Sequence, residues 1–154
     1  PMLLQITLSY LTLPELLHMD IQPLYCVILA LILNSAAYVS EIIRAGIQAV
    51  DVGQAEAARS LGLSSSMTMR EIILPQAIKN ILPALCNEFI MIVKDSSLGS
   101  TFFVGELMTV QATIKGALYL TLEPLMIVAM IYFCLTFTLS KGVVLLERRM
   151  SRGD

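Results

Sequence analysis

Two stretches of this 154-residue chain are of membrane-spanning length and carry no charge: the 20 residues between Asp20 and Glu41, and the 17 residues 124–140. About 17–25 apolar residues in a helix suffice to cross the hydrocarbon layer of a bilayer, where every backbone N–H and C=O must be satisfied within the element. The rest of the composition agrees. Charged residues make up 14% of the chain and hydrophobic ones 56%, with mean hydropathy +0.78. A soluble domain carries about 25% charge. The rival, a large soluble protein with fully buried helices, predicts more charge between the apolar runs. The sequence therefore predicts an all-α fold, a polytopic bundle of transmembrane helices.

Several function classes drop out early. The net charge of −2 comes with no basic cluster, so no nucleic-acid partner is expected. Cys26, Cys86 and Cys134 lie inside apolar segments without C-x-x-C spacing, as small hydrophobes rather than metal ligands or a disulfide. His18 is the one histidine and sits in a polar break, where a solvated side chain is the ordinary role. The chain opens on Pro1, already inside an apolar run, which predicts the C-terminal part of a longer protein.

Along the chain, residues 1–13 are uncharged but too short to span, and read as the outer half of a helix. Pro14, Glu15, His18, Asp20 and Pro23 mark the break after it. A second helix is expected over residues 24–50. Its middle turns small and polar at Asn34, Ser35, Ala36, Ala37 and Ser40, which suits close helix packing in a bilayer. Glu41 and Arg44, three apart, can pair on one face. A third apolar segment over residues 83–105 is interrupted by Glu88, Lys94 and Asp95 and made irregular by Gly99 and Gly105. Residues 106–121 read as a short interfacial helix and a loop, and Pro124 as the opening of the last helix.

Between the second and third apolar segments lies a polar stretch, residues 53–75. Two short helical patterns meet there at Gly62, which can turn with φ > 0. Asp51 is placed to cap the first, and the serines 64–66 to cap the second. The second is expected to stop before Pro75, because a residue preceding proline resists the α region. Small Ala57 and Ala58 allow a partner surface to approach closely. Arg44, Arg59, Arg70, Lys79, Lys141, Arg148, Arg149 and Arg152 fall on the side of this stretch and of the C-terminus, with Lys115 the only basic residue opposite. That bias places residues 53–75 and the C-terminus in the cytoplasm.

Glu56-Ala57-Ala58, Gly62 and Ile72-x-Leu74-Pro75 together resemble the EAA loop of the membrane-spanning subunits of ATP-binding-cassette (ABC) importers. The flanking AYVSEIIRAGI, GQ-x-EAA and VKDSSL, and the closing LLERR, are similar to permeases for polar amino acids such as histidine, glutamine or arginine. One departure is Asp51, where the family often has Pro. The resemblance implies a type I importer permease fold, one domain over residues 1–154 with the coupling loop at 53–75. Such permeases have about five spanning helices, so the first and part of the second would be missing here. It also implies a multi-pass protein of the bacterial inner (plasma) membrane. The implied partners are cytoplasmic ABC ATPase subunits, a second permease subunit in a homo- or heterodimer, an extracytoplasmic substrate-binding protein, membrane lipid and an amino-acid substrate. Glu56, Ala57, Ala58, Gly62, Ile72, Leu74 and Pro75 would couple to the ATPases.

The chain has no G-x-x-x-x-G-K-[ST] loop, so no cofactor is expected on it and ATP with its Mg belongs to the ATPase partners. G-L-S-S-S at Gly62 lacks the last Gly of a nucleophile elbow, so no catalytic residue and no metal ligand is expected. Asn34, about 15 Å along its helix and so near mid-bilayer, and Glu41, Glu88, Lys94 and Asp95 are the candidates for the translocation path, since ionisable residues at membrane depth are functional suspects. A zwitterionic amino acid would offer an anion to Lys94 and a cation to Asp95; pairing with neighbouring helices is the alternative. Glu88, Lys94 and Asp95 keep an ion-coupled secondary transporter or channel open as a rival function, and an ABC permease for another solute is a further alternative. An intramembrane hydrolase is a more distant rival.

Overall fold

The computed structural model describes residues 1–150; Arg152, counted above with the cytoplasmic charges, lies outside them. The described residues form helices and no strand: α1 (Met2–Leu17), α2 (Pro23–Gln48), α3 (Val52–Ser60), α4 (Ser65–Thr68), α5 (Leu74–Asp95), α6 (Leu107–Leu118) and α7 (Leu122–Met150). A π-helical turn, Met69–Ile73, joins α4 to α5, and a 3₁₀ turn, Ser96–Phe102, follows α5.

The chain divides into two compact units, Pro1–Ala36 with Ile90–Leu139 and Ala37–Phe89 with Ser140–Asp154. In the first, Ile6, Val27, Ala30 and Phe102 form the core, with Tyr10 stacked obliquely on Phe102 at a ring distance of 5.1 Å. α1 continues through Pro14 and Glu15, so the polar break begins only at His18, whose left-handed φ of 50° ends the helix. Proline inside a helix removes one N–H bond. Thr7 and Thr12 donate to the Leu3 and Leu8 carbonyls at 2.8 and 2.7 Å, and so bring no unsatisfied hydroxyl to an apolar face.

The glycine-bearing segment after α5 is irregular, as expected, and its serines define how. Ser96, Ser97 and Ser100 donate to the carbonyls three residues back, at 2.8, 2.7 and 2.7 Å, within the tighter 3₁₀ winding. Glu106 then caps α6, its Oε1 accepting from the Thr109 amide at 2.8 Å. α7 begins at Leu122, two residues before Pro124, which lies in its first turn where the missing N–H costs no internal bond.

α2 and α7, of 26 and 29 residues, are long and apolar enough to cross a membrane. Most of their apolar side chains are outward: Ile28, Ile32 and Leu33 on α2, and Met126, Ile127, Met130 and Phe133 on α7, are exposed. The core helix of a soluble protein would bury such residues, so this exposure counts against the soluble rival.

In the second unit the core is Val50, Ile73, Ala77 and Ile81, flanked by Ile42, Ile47, Ala55, Ile72 and Leu85. The helix expected to stop before Pro75 does not stop. Backbone helix runs from Ser65 to Asp95 without interruption, and the π turn lies directly before the proline. Leu74 N–H reaches back five residues to the Met69 carbonyl. That wider winding displaces the carbonyls with which the Pro75 ring would collide, so the chain passes a residue that would otherwise break it.

Candidate functional site: the α3–α4 hairpin

The hairpin is assembled by local chemistry. Asp51 ends the approach from α2 in an extended conformation, and its Oδ1 accepts from the Gly53 amide at 2.6 Å, opening α3. α3 closes in a Schellman arrangement: Leu63 N–H bonds the Ala58 carbonyl at 3.1 Å and Gly62 N–H the Arg59 carbonyl at 2.9 Å. Gly62 takes φ +85°, and a Cβ there would meet no atom within 4 Å. The glycine is therefore required by backbone conformation and not by crowding. Ser64 Oγ accepts from Met67 N–H at 3.3 Å and starts α4.

Burial divides the seven expected coupling residues. Ala58 is buried in the second unit, Ile72 is half-buried, and Glu56, Ala57, Gly62, Leu74 and Pro75 are exposed; Ile73, between Ile72 and Leu74, is buried as well. Around them Val52, Leu61, Met67 and Met69 are exposed too, Leu61 at 82%. The hairpin thus presents an apolar surface edged by Glu56, Arg59, Arg70 and Glu71, all exposed. Exposed apolar clusters with a polar rim mark interaction sites. Thr68, which sequence reasoning passed over, is buried at 4%, and its hydroxyl has no hydrogen-bond partner among the described residues.

The five path candidates are divided between the two units. Asn34, Lys94 and Asp95 belong to the first unit; Glu41 and Glu88 belong to the second. Glu41 is engaged by Arg44: Arg44 Nε donates to its Oε2 at 2.9 Å, a second guanidinium N–H bonds Oε1, and Gln48 accepts from the same guanidinium at 2.7 Å. That is the expected helical-face pair. Neither Lys94 nor Asp95 makes an ion pair among the described residues. Lys94 lines a cavity of about 250 Å³ with Ser97, Met108, Tyr132, Phe133 and Thr136. Beside it, Tyr132 donates to Glu106 Oε2 at 3.2 Å. The residue types gave no signal for this contact, since 26 positions separate the two.

Two membrane-length helices and an exposed, glycine-hinged hairpin define a class of helical membrane protein, and likeness to known proteins narrows it. The chain belongs to the family of inner membrane components of binding-protein-dependent transport systems, whose pattern its residues 1–152 match. It is 43% identical to the arginine transport system permease protein ArtQ of Bacillus subtilis over 154 residues, all of this chain and 70% of that one. It is 45% identical to the nopaline transport system permease protein NocM of Agrobacterium fabrum over 82% of this chain and 52% of the relative. A crystal structure of an amino acid ABC transporter with histidines superposes with a TM-score of 0.92 at 50% identity, covering 97% of this chain and 69% of that chain. The type I importer permease fold expected from the sequence is the fold observed.

Proposed function

We propose that this chain is the permease subunit of an ABC importer that carries a polar amino acid across the bacterial inner membrane. The observation that carries the proposal is the exposed, glycine-hinged hairpin in a chain whose relatives are permeases of amino-acid transport systems. The hairpin, residues 53–75, docks on cytoplasmic ATPase subunits, which hold the ATP and Mg. Glu56, Ala57, Leu74 and Pro75 supply contact surface, while Ala58, Gly62 and Ile72 shape and seat it. Closure of the ATPases then reaches the membrane helices as rigid-body motion. A second permease subunit and an external binding protein complete the assembly. The excess of Arg and Lys beside the hairpin supports its cytoplasmic placement.

On the path, Lys94 lines a cavity with Ser97, Tyr132 and Thr136, and its ammonium is the group that would receive a substrate carboxylate, since these three hydroxyls already donate to the Lys94 carbonyl, Glu106 and the Tyr132 carbonyl. Asp95 offers the complementary charge for an ammonium group. Glu41, held by Arg44, serves the helix face instead.

The test is purification of the full-length permease with its ATPase and binding-protein partners, followed by ATP-driven uptake into liposomes against a panel of amino acids. Uptake of one or a few polar amino acids, dependent on ATP, is expected. Co-purification without ATP-dependent uptake of any of them would reject the assignment.

A further inference from the structure

Gly46 of α2 faces α5 with no room for a side chain. A Cβ on it would lie 2.3 Å from Ile81 Cγ1, 3.2 Å from Ile81 Cδ1 and 3.5 Å from the Ala77 carbonyl oxygen. Gly46 is buried, Ala77 is wholly so and Ile81 is 8% exposed. Cγ1 adjoins the branched Cβ of Ile81, so it cannot swing aside as the tip of a long side chain would. The small residues at 46 and 77 bring the two helices together to the distance at which Ile81 fills the gap.

The place of this contact gives it a role. Five residues after Gly46 comes Asp51, the cap from which α3 leaves; Ile81 lies on α5, which is continuous with the π turn and α4. Val50 and Ile73, at the two roots of the hairpin, belong to the same buried cluster as Ala77 and Ile81. Two places between the hairpin and these helices could bend, the non-helical Asp51 and the π turn.

We infer that Gly46 and Ile81 form a clamp that joins both roots of the hairpin, so that residues 37–48 of α2 and 74–89 of α5 move together when the hairpin is pushed. Gly46 and Ile81 are thus positioning residues for coupling, an inference that rests on the hairpin's receiving ATPase motion. Without the clamp, a push on α3 and α4 can move one root and leave the other behind, the difference being taken up by bending at Asp51 or at the π turn.

Two opposite defects and their combination test it. Gly46→Ala overfills the contact, Ile81→Ala empties it, and the double variant places a methyl group into the space vacated. In the full-length permease complex reconstituted with ATPase subunits and binding protein, amino-acid uptake per ATP hydrolysed is expected to fall at least three-fold in each single variant. ATPase turnover should persist, and the double variant should recover at least half of the wild-type ratio. A packing role alone would change the yield of complex and leave that ratio unmoved. Single variants with a wild-type ratio, or a double variant no better than the poorer single, would overturn the clamp. If Gly46→Ala gives no complex, the comparison of Ile81→Ala with the double variant decides by the same criterion. A wild-type complex without ATP-driven uptake would instead overturn the importer assignment, and the clamp with it.

Discussion

Tyr132 of α7 donates a 3.2 Å hydrogen bond to Glu106, the residue whose other carboxylate oxygen caps α6. One carboxylate therefore opens a helix and ties it to another, and Thr109 adds its hydroxyl, which also bonds the Val104 carbonyl. Deleting Tyr132→Phe removes one hydrogen bond, expected to cost about 0.5–1.5 kcal/mol. Glu106→Ala removes that bond and the cap together, with the cap alone worth about 0.5–2 kcal/mol. Thermal unfolding of the detergent-solubilised protein should rank wild type above Tyr132→Phe above Glu106→Ala. Equal melting of the two variants would show that the cap contributes nothing.

Gly62 isolates a conformational requirement, because added side-chain atoms meet no neighbour. A left-handed residue costs roughly 1–2 kcal/mol for an ordinary side chain and less for Asn. Transport by assembled complexes should therefore fall in the order Gly, Asn, Ala, Val at position 62, with ATP hydrolysis continuing. Normal uptake with Gly62→Val would remove the hinge from the mechanism.

The proposed cytoplasmic placement of the hairpin is checked by chemistry at Ser65, an exposed position at the start of α4. In a protein with Cys26, Cys86 and Cys134 replaced, Ser65→Cys should react with an impermeant thiol reagent in inverted membrane vesicles and stay unreactive in intact cells. Labelling of intact cells would reverse the orientation.

Asp95 lies at the junction of α5 with the 3₁₀ turn, next to Lys94 in sequence but absent from the wall of the cavity that Lys94 lines. Asp95→Asn should change substrate preference or raise the uptake KM several-fold if, as proposed, Asp95 offers the anion for a substrate ammonium. A lower amount of assembled complex, with unchanged selectivity per complex, would leave Asp95 a packing role only.

What the sequence determined by itself was local. The charge-free runs set α2 and α7 as spanning-length helices, because no other open element satisfies its backbone in lipid. Asp51 as a cap, Ser64 as a cap, Gly62 with positive φ and Arg44 paired to Glu41 were all legible, since each depends on groups within four residues of one another. Tertiary structure decided the rest. Pro75 was expected to end a helix, and local sterics alone favour that outcome; the chain instead widens to a π turn, which keeps Ile73 and Ala77 in one buried cluster. The approach of Gly46 to Ile81, and of Tyr132 to Glu106, joins residues 35 and 26 positions apart. Spacing along a helix shows which residues share a face, but not which face of another helix will meet it or how closely. That distance is set by the side chains at the contact, and here the absence of one at Gly46 sets it.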